Sequence, residues 1–269
     1  MQKLVQYYCE LPTTFRRPLW QLWHKLILKF DKNREATFMN YGFQSLNGDE
    51  KLNLQLPRDE ENRYCIQLYH HVASQVSQEG KDILEVGSGR GGGAEFLTRY
   101  LKPKSYTGID ISSSVIAFCN KTHNQPGLLF KKGFAEKLEF PDQSFDSVVN
   151  VESARCYADI QGFFKEVHRV LRPGGNFLFA DMVVKGEIDE IREKINRSGL
   201  KIVEEKNISQ NVVKALDLDH NRRNKMVNSF VPKFLRKSFL QFAGAKGSER
   251  YDSFATGRIE YWSFLLSKN

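Results

Sequence analysis

No stretch of these 269 residues approaches the ~20 consecutive apolar positions that a membrane-spanning helix needs. Cysteine is scarce. Cys9, Cys65, Cys119 and Cys156 form no Cys-x-x-Cys pair, so no disulfide framework is expected and reduced thiols in the cytoplasm are. No spacing of His, Cys and Asp resembles a metal site, and no metal is expected. The N-terminus carries Lys3, but its apolar stretch is broken by Glu10 and Arg16 and no small-residue cleavage site follows. It does not read as a signal peptide. A net charge of +8 hints at acidic partners, yet no block of five consecutive basic residues occurs, which suits a basic cytoplasmic protein better than a nucleic-acid binder. Repeats and low-complexity segments are absent too. Hydrophobic residues make up 41% of the chain, enough for a real core.

What is present falls into three zones. Residues 1–79 are aromatic-rich and mostly helical in pattern, residues 80–208 alternate strand-like and helix-like segments, and residues 209–256 read as helical and basic before a last strand near 257–266. In the middle zone, Lys81–Gly87, Ser105–Ile111, Gly127–Lys132, Asp146–Glu152 and Asn176–Val183 read as strands. Helices are predicted between them, with Ile160–Leu171 stopped by the Arg172-Pro173-Gly174-Gly175 turn. Strands alternating with helices predict a mostly parallel, doubly wound α/β sheet covered on both faces.

The first strand closes on Glu85-Val86-Gly87-Ser88-Gly89-Arg90-Gly91-Gly92-Gly93. Glycines there let the chain turn sharply and let a ligand approach the backbone. The helix N-terminus behind them is expected to present free N–H groups. Asp110 ends the second strand, placed to reach two ribose hydroxyls of a nucleotide cofactor. Gly87, Gly89 and Gly92 also satisfy the dinucleotide pattern, so the turn by itself is ambiguous. Glu85 tips the balance: a carboxylate there would repel a pyrophosphate but could orient an ammonium group, directly or through water. S-adenosylmethionine has that ammonium, a carboxylate for the turn's N–H groups, and no phosphate.

The stretch resembles motif I of class I methyltransferases. Pro141–Asp146 with Val148 and Val149 is similar to that family's entry into strand four, and Glu166–Gly175 is similar to its helix and turn before strand five. The resemblance implies a Rossmann-like seven-stranded sheet, order 3-2-1-4-5-7-6, with the last strand antiparallel. Over nearly the whole chain, segments such as Asn62–Val76 and Asn150–Ser153 resemble phthiotriol/phenolphthiotriol dimycocerosate O-methyltransferases and related fatty-acid and polyketide O-methyltransferases. This implies S-adenosylmethionine as cofactor, and methyl transfer to an oxygen of a hydrophobic small molecule. The alternative is C- or N-methylation of a terpenoid or sterol-like acceptor. An RNA methyltransferase is disfavoured because no Asn/Asp-Pro-Pro-Tyr motif follows strand four. The cofactor site expected from the resemblance comprises Glu85, Gly87, Ser88, Gly89, Gly91, Asp110, Ile111, Phe134, Ala135 and Asn150.

Two positions depart from the pattern. Phe134 stands where the family often has an acid for the adenine amino group, which leaves the Ala135 amide and stacking to serve adenine. Arg155 stands where the relatives carry a histidine suited to act as base. Arginine cannot take a proton at neutral pH. Three arrangements are open: His70, His71, Tyr157 or Asp181 takes the proton; the acceptor is a carboxylate that Arg155 holds by a bidentate pair; or Arg155 is a rim residue and alignment suffices.

Residues 13–46 carry Phe15, Trp20, Trp23 and Phe30 among basic residues and are expected to form a helical lid, within an N-terminal segment 1–79 ahead of a catalytic domain 80–269. Contact with an anionic membrane and homo-oligomerisation are further readings of this segment. A cap insertion is expected at about 209–256, lined by Met226, Phe230, Phe234, Phe239 and Phe242 over the acceptor.

Overall fold

The computed structural model describes residues 30–31, 36–47 and 52–269. The expected lid helix falls mostly outside them, including Phe15, Trp20 and Trp23. Seven strands form one sheet: β1 Asp82–Val86, β2 Ser105–Asp110, β3 Leu128–Lys132, β4 Phe145–Val151, β5 Leu171–Val184, β6 Lys201–Asn207 and β7 Ile259–Ser267, in the order β3-β2-β1-β4-β5-β7-β6. The pairs from β3 across to β5 are parallel, and β7 runs antiparallel to both β5 and β6.

The helices are α1 Pro57–Glu61, α2 Arg63–Ala73, α3 Gly92–Leu101, α4 Ser113–Thr122, α5 Ile160–Val170, α6 Ile188–Arg197, α7 Ser209–Leu218, α8 His220–Phe230, α9 Lys233–Phe242 and α10 Glu249–Ala255. Local chemistry starts several of them. Ser112 caps α4 by accepting the Val115 amide, Asp159 caps α5 through the Gly162 amide at 2.8 Å, and Ser248 caps α10 through the Tyr251 amide at 3.1 Å.

Alternation along each strand divides the core into two layers. In β1, Ile83 packs with α2, α3 and α4, whereas Leu84 and Val86 face α5 and its phenylalanines. Phe163, Phe164, Phe177, Phe179 and Phe264 are all buried there, with ring centroids 5.5–5.7 Å apart in the pairs Phe163–Phe177, Phe164–Phe179, Phe177–Phe179 and Phe179–Phe264. Strands buried on both faces explain why β4 reads as a valine run.

Three expectations change. The turn after α5 is not a clean break: α5 ends at Val170, Leu171 already pairs with Phe145, and the register jumps before Asn176 pairs with Ser147. The Pro-Gly-Gly segment is thus a bulge within the start of β5. Helix α2, placed before β1 in the chain, buries Ile66, Leu68 and Val72 fully in the main core. Helix α7, at the head of the expected cap, does the same with Val212, Ala215 and Leu216. Around α8 and α9 a separate small apolar cluster forms, with Val227, Val231 and Phe239 at its centre.

Candidate active site

Parallel strands deliver their C-terminal ends to one edge of the sheet, and the order reverses between β1 and β4, opening a crevice there. A cavity of about 110 Å³ occupies it, lined by Val86, Gly87, Ser88 and Gly89 after β1, by Ile109, Asp110 and Ile111 at β2, and by Val151, Glu152, Ser153, Arg155, Cys156 and Tyr157 after β4. Residues 37–40 line it from a segment N-terminal to the sheet, and Tyr69 from α2.

The bend needs glycine for reasons the structure makes explicit. Gly87 has φ +77°, and a Cβ there would come within 2.3 Å of Ser153 Oγ and 2.7 Å of Tyr157 Oη. A Cβ on Gly92 would meet the Thr37 carbonyl at 2.7 Å. The expectation of free N–H groups along the bend needs correction. Gly87 and Ser88 both donate to Ile109 O, Gly89 donates to Asp110 Oδ2 at 3.2 Å, Gly91 to Ser88 O and Gly92 to Thr37 O. The bend contributes shape and close approach more than donors. Gly91, at φ +78°, lies against His123 and Phe130 and not on the cavity.

Asp110 holds its carboxylate at the rim by accepting the Gly89 amide and, on Oδ1, the Ser112 amide at 2.9 Å. Burial pushes its carboxyl up, and these two amides pull against that. Ser88 Oγ is buried and has no hydrogen-bond partner among the described residues. Ala135 lines the cavity, but Phe134 is 41% exposed and its ring sits beside Lys132 Nζ instead. Asn150 also stands back: its Nδ2 donates to Val86 O, Ser153 Oγ and Tyr157 Oη at 2.8–2.9 Å, bracing the bend from behind. Glu85 is fully buried and off the cavity, with Oε1 taking the Tyr69 hydroxyl at 2.9 Å and Oε2 the Tyr106 hydroxyl at 3.0 Å. Burial raises it to about 7 despite those two hydrogen bonds. Its direct contact with a ligand is not what this geometry offers.

The expected catalytic residues separate into two groups. Arg155 and Tyr157 line the cavity. Asp181 lies one layer behind, with Oδ1 2.8 Å from Arg155 Nη1 and Oδ2 accepting the Arg155 amide at 3.1 Å. Met182 also donates its amide to Oδ1, so this carboxylate is committed to holding Arg155. Tyr157 Oη is tied to Ser153 Oγ and Asn150, and burial pushes the phenol well above its ordinary value. His70 and His71 are on α2 and line neither described cavity. His71 stacks on Phe43 with ring centroids 4.2 Å apart, and burial lowers it to about 4. No signal in the sequence warned that this helix turns its histidines away.

The residue missed is Glu152. It directly follows the last residue of β4, much as Asp110 ends β2, and that acid at a strand tip was a usable signal. Arg90 was missed as well: its side chain is wholly buried, ion-paired with Asp31 and set 3.9 Å over the Phe118 ring. Ala36 donates its amide to the same Asp31 at 3.1 Å, so the pair ties the segment over the cavity to the bend.

A second cavity of about 50 Å³ lies beneath α8 and α9. It is lined by Met226, Val227, Phe230, Phe239 and Phe242 and shares Phe38, Met39 and Asn40 with the first. Among the described residues, no group of three or more His, Cys, Asp or Glu is placed to hold a metal ion, and no helix is long and apolar enough to cross a membrane.

Comparison with known proteins reads this geometry. The methyltransferase domain model matches residues 84–179. The chain is 37% identical over 258 residues, 96% of its length, to the phthiotriol/phenolphthiotriol dimycocerosates methyltransferase of Mycobacterium tuberculosis, covering 94% of that protein. The chain belongs to the S-adenosylmethionine-dependent methyltransferases. This methyltransferase is also 37% identical to the fatty-acid O-methyltransferase of Mycolicibacterium smegmatis, over 88% of its own length and 85% of the relative's. Its fold matches the crystal structure of the cyclase SpnF with a TM-score of 0.71 at 16% identity, covering 92% of this chain and 94% of that one. The fold is therefore shared beyond methyl transfer, and the long-range sequence identity carries the assignment. S-adenosylmethionine is the cofactor. The residues present fit it: a buried hydroxyl without a partner among the described residues, a rim carboxylate, and a bend that a Cβ would fill.

Proposed function

We propose that this methyltransferase methylates an oxygen of a lipid-like acceptor, a long apolar molecule bearing a hydroxyl or carboxyl group. The observation that carries the reading is the pair of adjoining cavities. The first offers polar side chains at the sheet edge, and the second, under α8 and α9, is mainly apolar, with Asn40, Arg222 and Arg223 the polar residues in its lining. Phe38, Met39 and Asn40 form the wall common to both, so a chain in the second would lead its head group towards the first. The naming of two relatives for a dimycocerosate lipid and a fatty acid supports the same reading.

In this scheme Asp110 accepts the cofactor's ribose hydroxyls, Ser88 Oγ supplies a hydrogen bond, the bend from Gly87 to Gly89 lets the backbone approach closely, and Ile111 and Ala135 flank the base. Bound there, S-adenosylmethionine supplies a methyl group already activated by its sulfonium. The chain's own residues align the acceptor and keep water out. Residues 37–40 close one side of the cavity, anchored by the buried Asp31–Arg90 pair and by Gly92 donating to Thr37 O. Arg155, held by Asp181, places a positive charge at the acceptor end, where it suits a carboxylate.

The test is direct. The protein is incubated with labelled S-adenosylmethionine and a bacterial lipid extract, and the product is identified by mass spectrometry. A methyl ether or methyl ester of a long-chain lipid is expected. Label on nitrogen or carbon, or on a small polar molecule, would refute the reading.

A further inference from the structure

Two buried glutamates near the cavity present a natural comparison. Glu85 has a tyrosine hydroxyl on each carboxylate oxygen and does not reach the cavity. Glu152 lines the cavity, and its ties are lopsided. Oε1 accepts both the Tyr41 amide and the Tyr261 hydroxyl, each at 2.8 Å, from segments more than a hundred residues away in either direction. Oε2 accepts no hydrogen bond from the described residues. Glu152 also has φ +55°, the left-handed region that side-chain-bearing residues rarely adopt. Such a conformation persists only where the surroundings over-determine it, and these cluster at functional sites. Here the Glu152 amide donates to Ala180 O at 2.9 Å and the carboxylate is clamped through one oxygen.

We propose that Glu152 is the general base for a hydroxyl acceptor, taking its proton on Oε2. The assignment rests on the O-methylation reading above. It answers the question that Arg155 raises, because neither Asp181, Tyr157, His70 nor His71 offers an uncommitted acceptor at the cavity. The charged and titratable groups around Glu152 are Arg155 on the turn after β4, Asp181 on β5, Tyr261 on β7, Tyr41 above, and Cys65 and Tyr69 on α2. Burial pushes the carboxyl up to about 7, against the pull of Arg155 and of the two donors on Oε1. A base so poised is half-ionised near neutrality, where general-base catalysis is most effective.

The step balances. The acceptor's O–H bond breaks as its O–C bond forms, the donor's C–S bond breaks with the electron pair left on sulfur, and the proton ends on Glu152 before passing to water. A carboxylate acceptor has no proton to lose, so its methylation does not call on this residue.

The experiment compares octadecanol with octadecanoic acid as acceptors for the wild type, Glu152→Gln and Tyr261→Phe. Glu152→Gln is expected to lower kcat/KM for the alcohol by ~10²–10⁴-fold, to leave the acid within about threefold, and to leave the cofactor Kd by calorimetry unchanged. The wild-type alcohol profile is expected to rise through about pH 7, and Glu152→Gln to abolish that limb. Tyr261→Phe removes a donor to the charged form and is expected to move the limb to higher pH, a readout that holds if the Gln variant fails to fold. Equal losses with both acceptors, no loss with the alcohol, an unmoved limb, or wild-type transfer to the acid alone would overturn the assignment while leaving methylation of lipids intact. Wild-type transfer to neither acceptor would overturn the O-methylation reading and this assignment with it.

Discussion

In the proposed scheme, cofactor recognition turns on Asp110. Its two oxygens accept amides from the bend and from the start of α4, so it is oriented before any ligand arrives. Asp110→Ala is expected to weaken S-adenosylmethionine binding at least tenfold, about 1.4 kcal/mol, with an unchanged circular dichroism spectrum. Calorimetry checks it. Arg155 has a structural burden besides any catalytic one. Asp181 is only 4% exposed at its side chain, and Arg155 is the cation paired with it among the described residues. Removing one partner of a buried pair costs about 3–5 kcal/mol; with Arg155 a quarter exposed, about 2–3 kcal/mol is expected for Arg155→Ala in a urea melt. Turnover with octadecanoic acid is expected to fall more than tenfold. Unchanged turnover would remove Arg155 from the chemistry and leave it as a strut.

Among the elements, the bend between β1 and α3 and the phenylalanine layer under α5 carry the sharpest expectations. Gly87→Ala must place a methyl group within 2.3 Å of Ser153 Oγ at a positive φ. Loss of cofactor binding is expected, seen as loss of the thermal shift that the cofactor gives the wild type. Phe164 is fully buried and meets Phe177 and Phe179 edge-on. Phe164→Ala is expected to cost about 3–5 kcal/mol, measured by denaturant unfolding. The elements were also where the sequence was most readable. Strands β1, β2 and β4 announced themselves as short apolar runs between glycines and acids. The bulge at the head of β5 did not, because Pro-Gly-Gly ordinarily signals a turn. Pairing of Leu171 with Phe145, and backbone hydrogen bonds between Gly174, Gly175 and Lys268, keep the chain extended there.

For the whole molecule, buried carboxylates set the pH response in opposite senses. Burial pushes Glu95 up, but the His123 hydrogen bond and the charges of His123, Arg58 and Arg99 overcome it and hold the group at about 2, below its ordinary 4.5. Its folded-state pKa is depressed, so its contribution to stability is present above pH 4.5 and is lost as pH falls towards 2. Glu85 and Glu152 are raised to about 7, so the folded state holds their protons more tightly than the unfolded chain does. Their contribution is complete below 4.5 and is lost as pH rises through 7. Without cofactor, the melting temperature is expected to fall between about pH 5 and about pH 8, and Glu85→Gln to flatten that slope. A slope unchanged in Glu85→Gln would show that other groups govern it.

The alternation of strands and helices, the glycine bend, and acids at the ends of β1 and β2 were determined by the order of residues, because each is a local pattern of polarity and backbone freedom. The fold class and the cofactor followed from them together with the resemblance they carry. What the tertiary structure decided was which groups face the cavity. Glu85 and Asn150 sit beside cavity-lining residues in the chain, and Asp181 sits behind Arg155, yet all three are turned inward to support the lining, and α2 carries its histidines elsewhere. Glu152, from the far end of β4, meets Tyr41 and Tyr261 only after the sheet has closed. A sequence fixes side-chain direction within a strand, but burial and free oxygens depend on partners a hundred residues away, and those exist only in the folded chain.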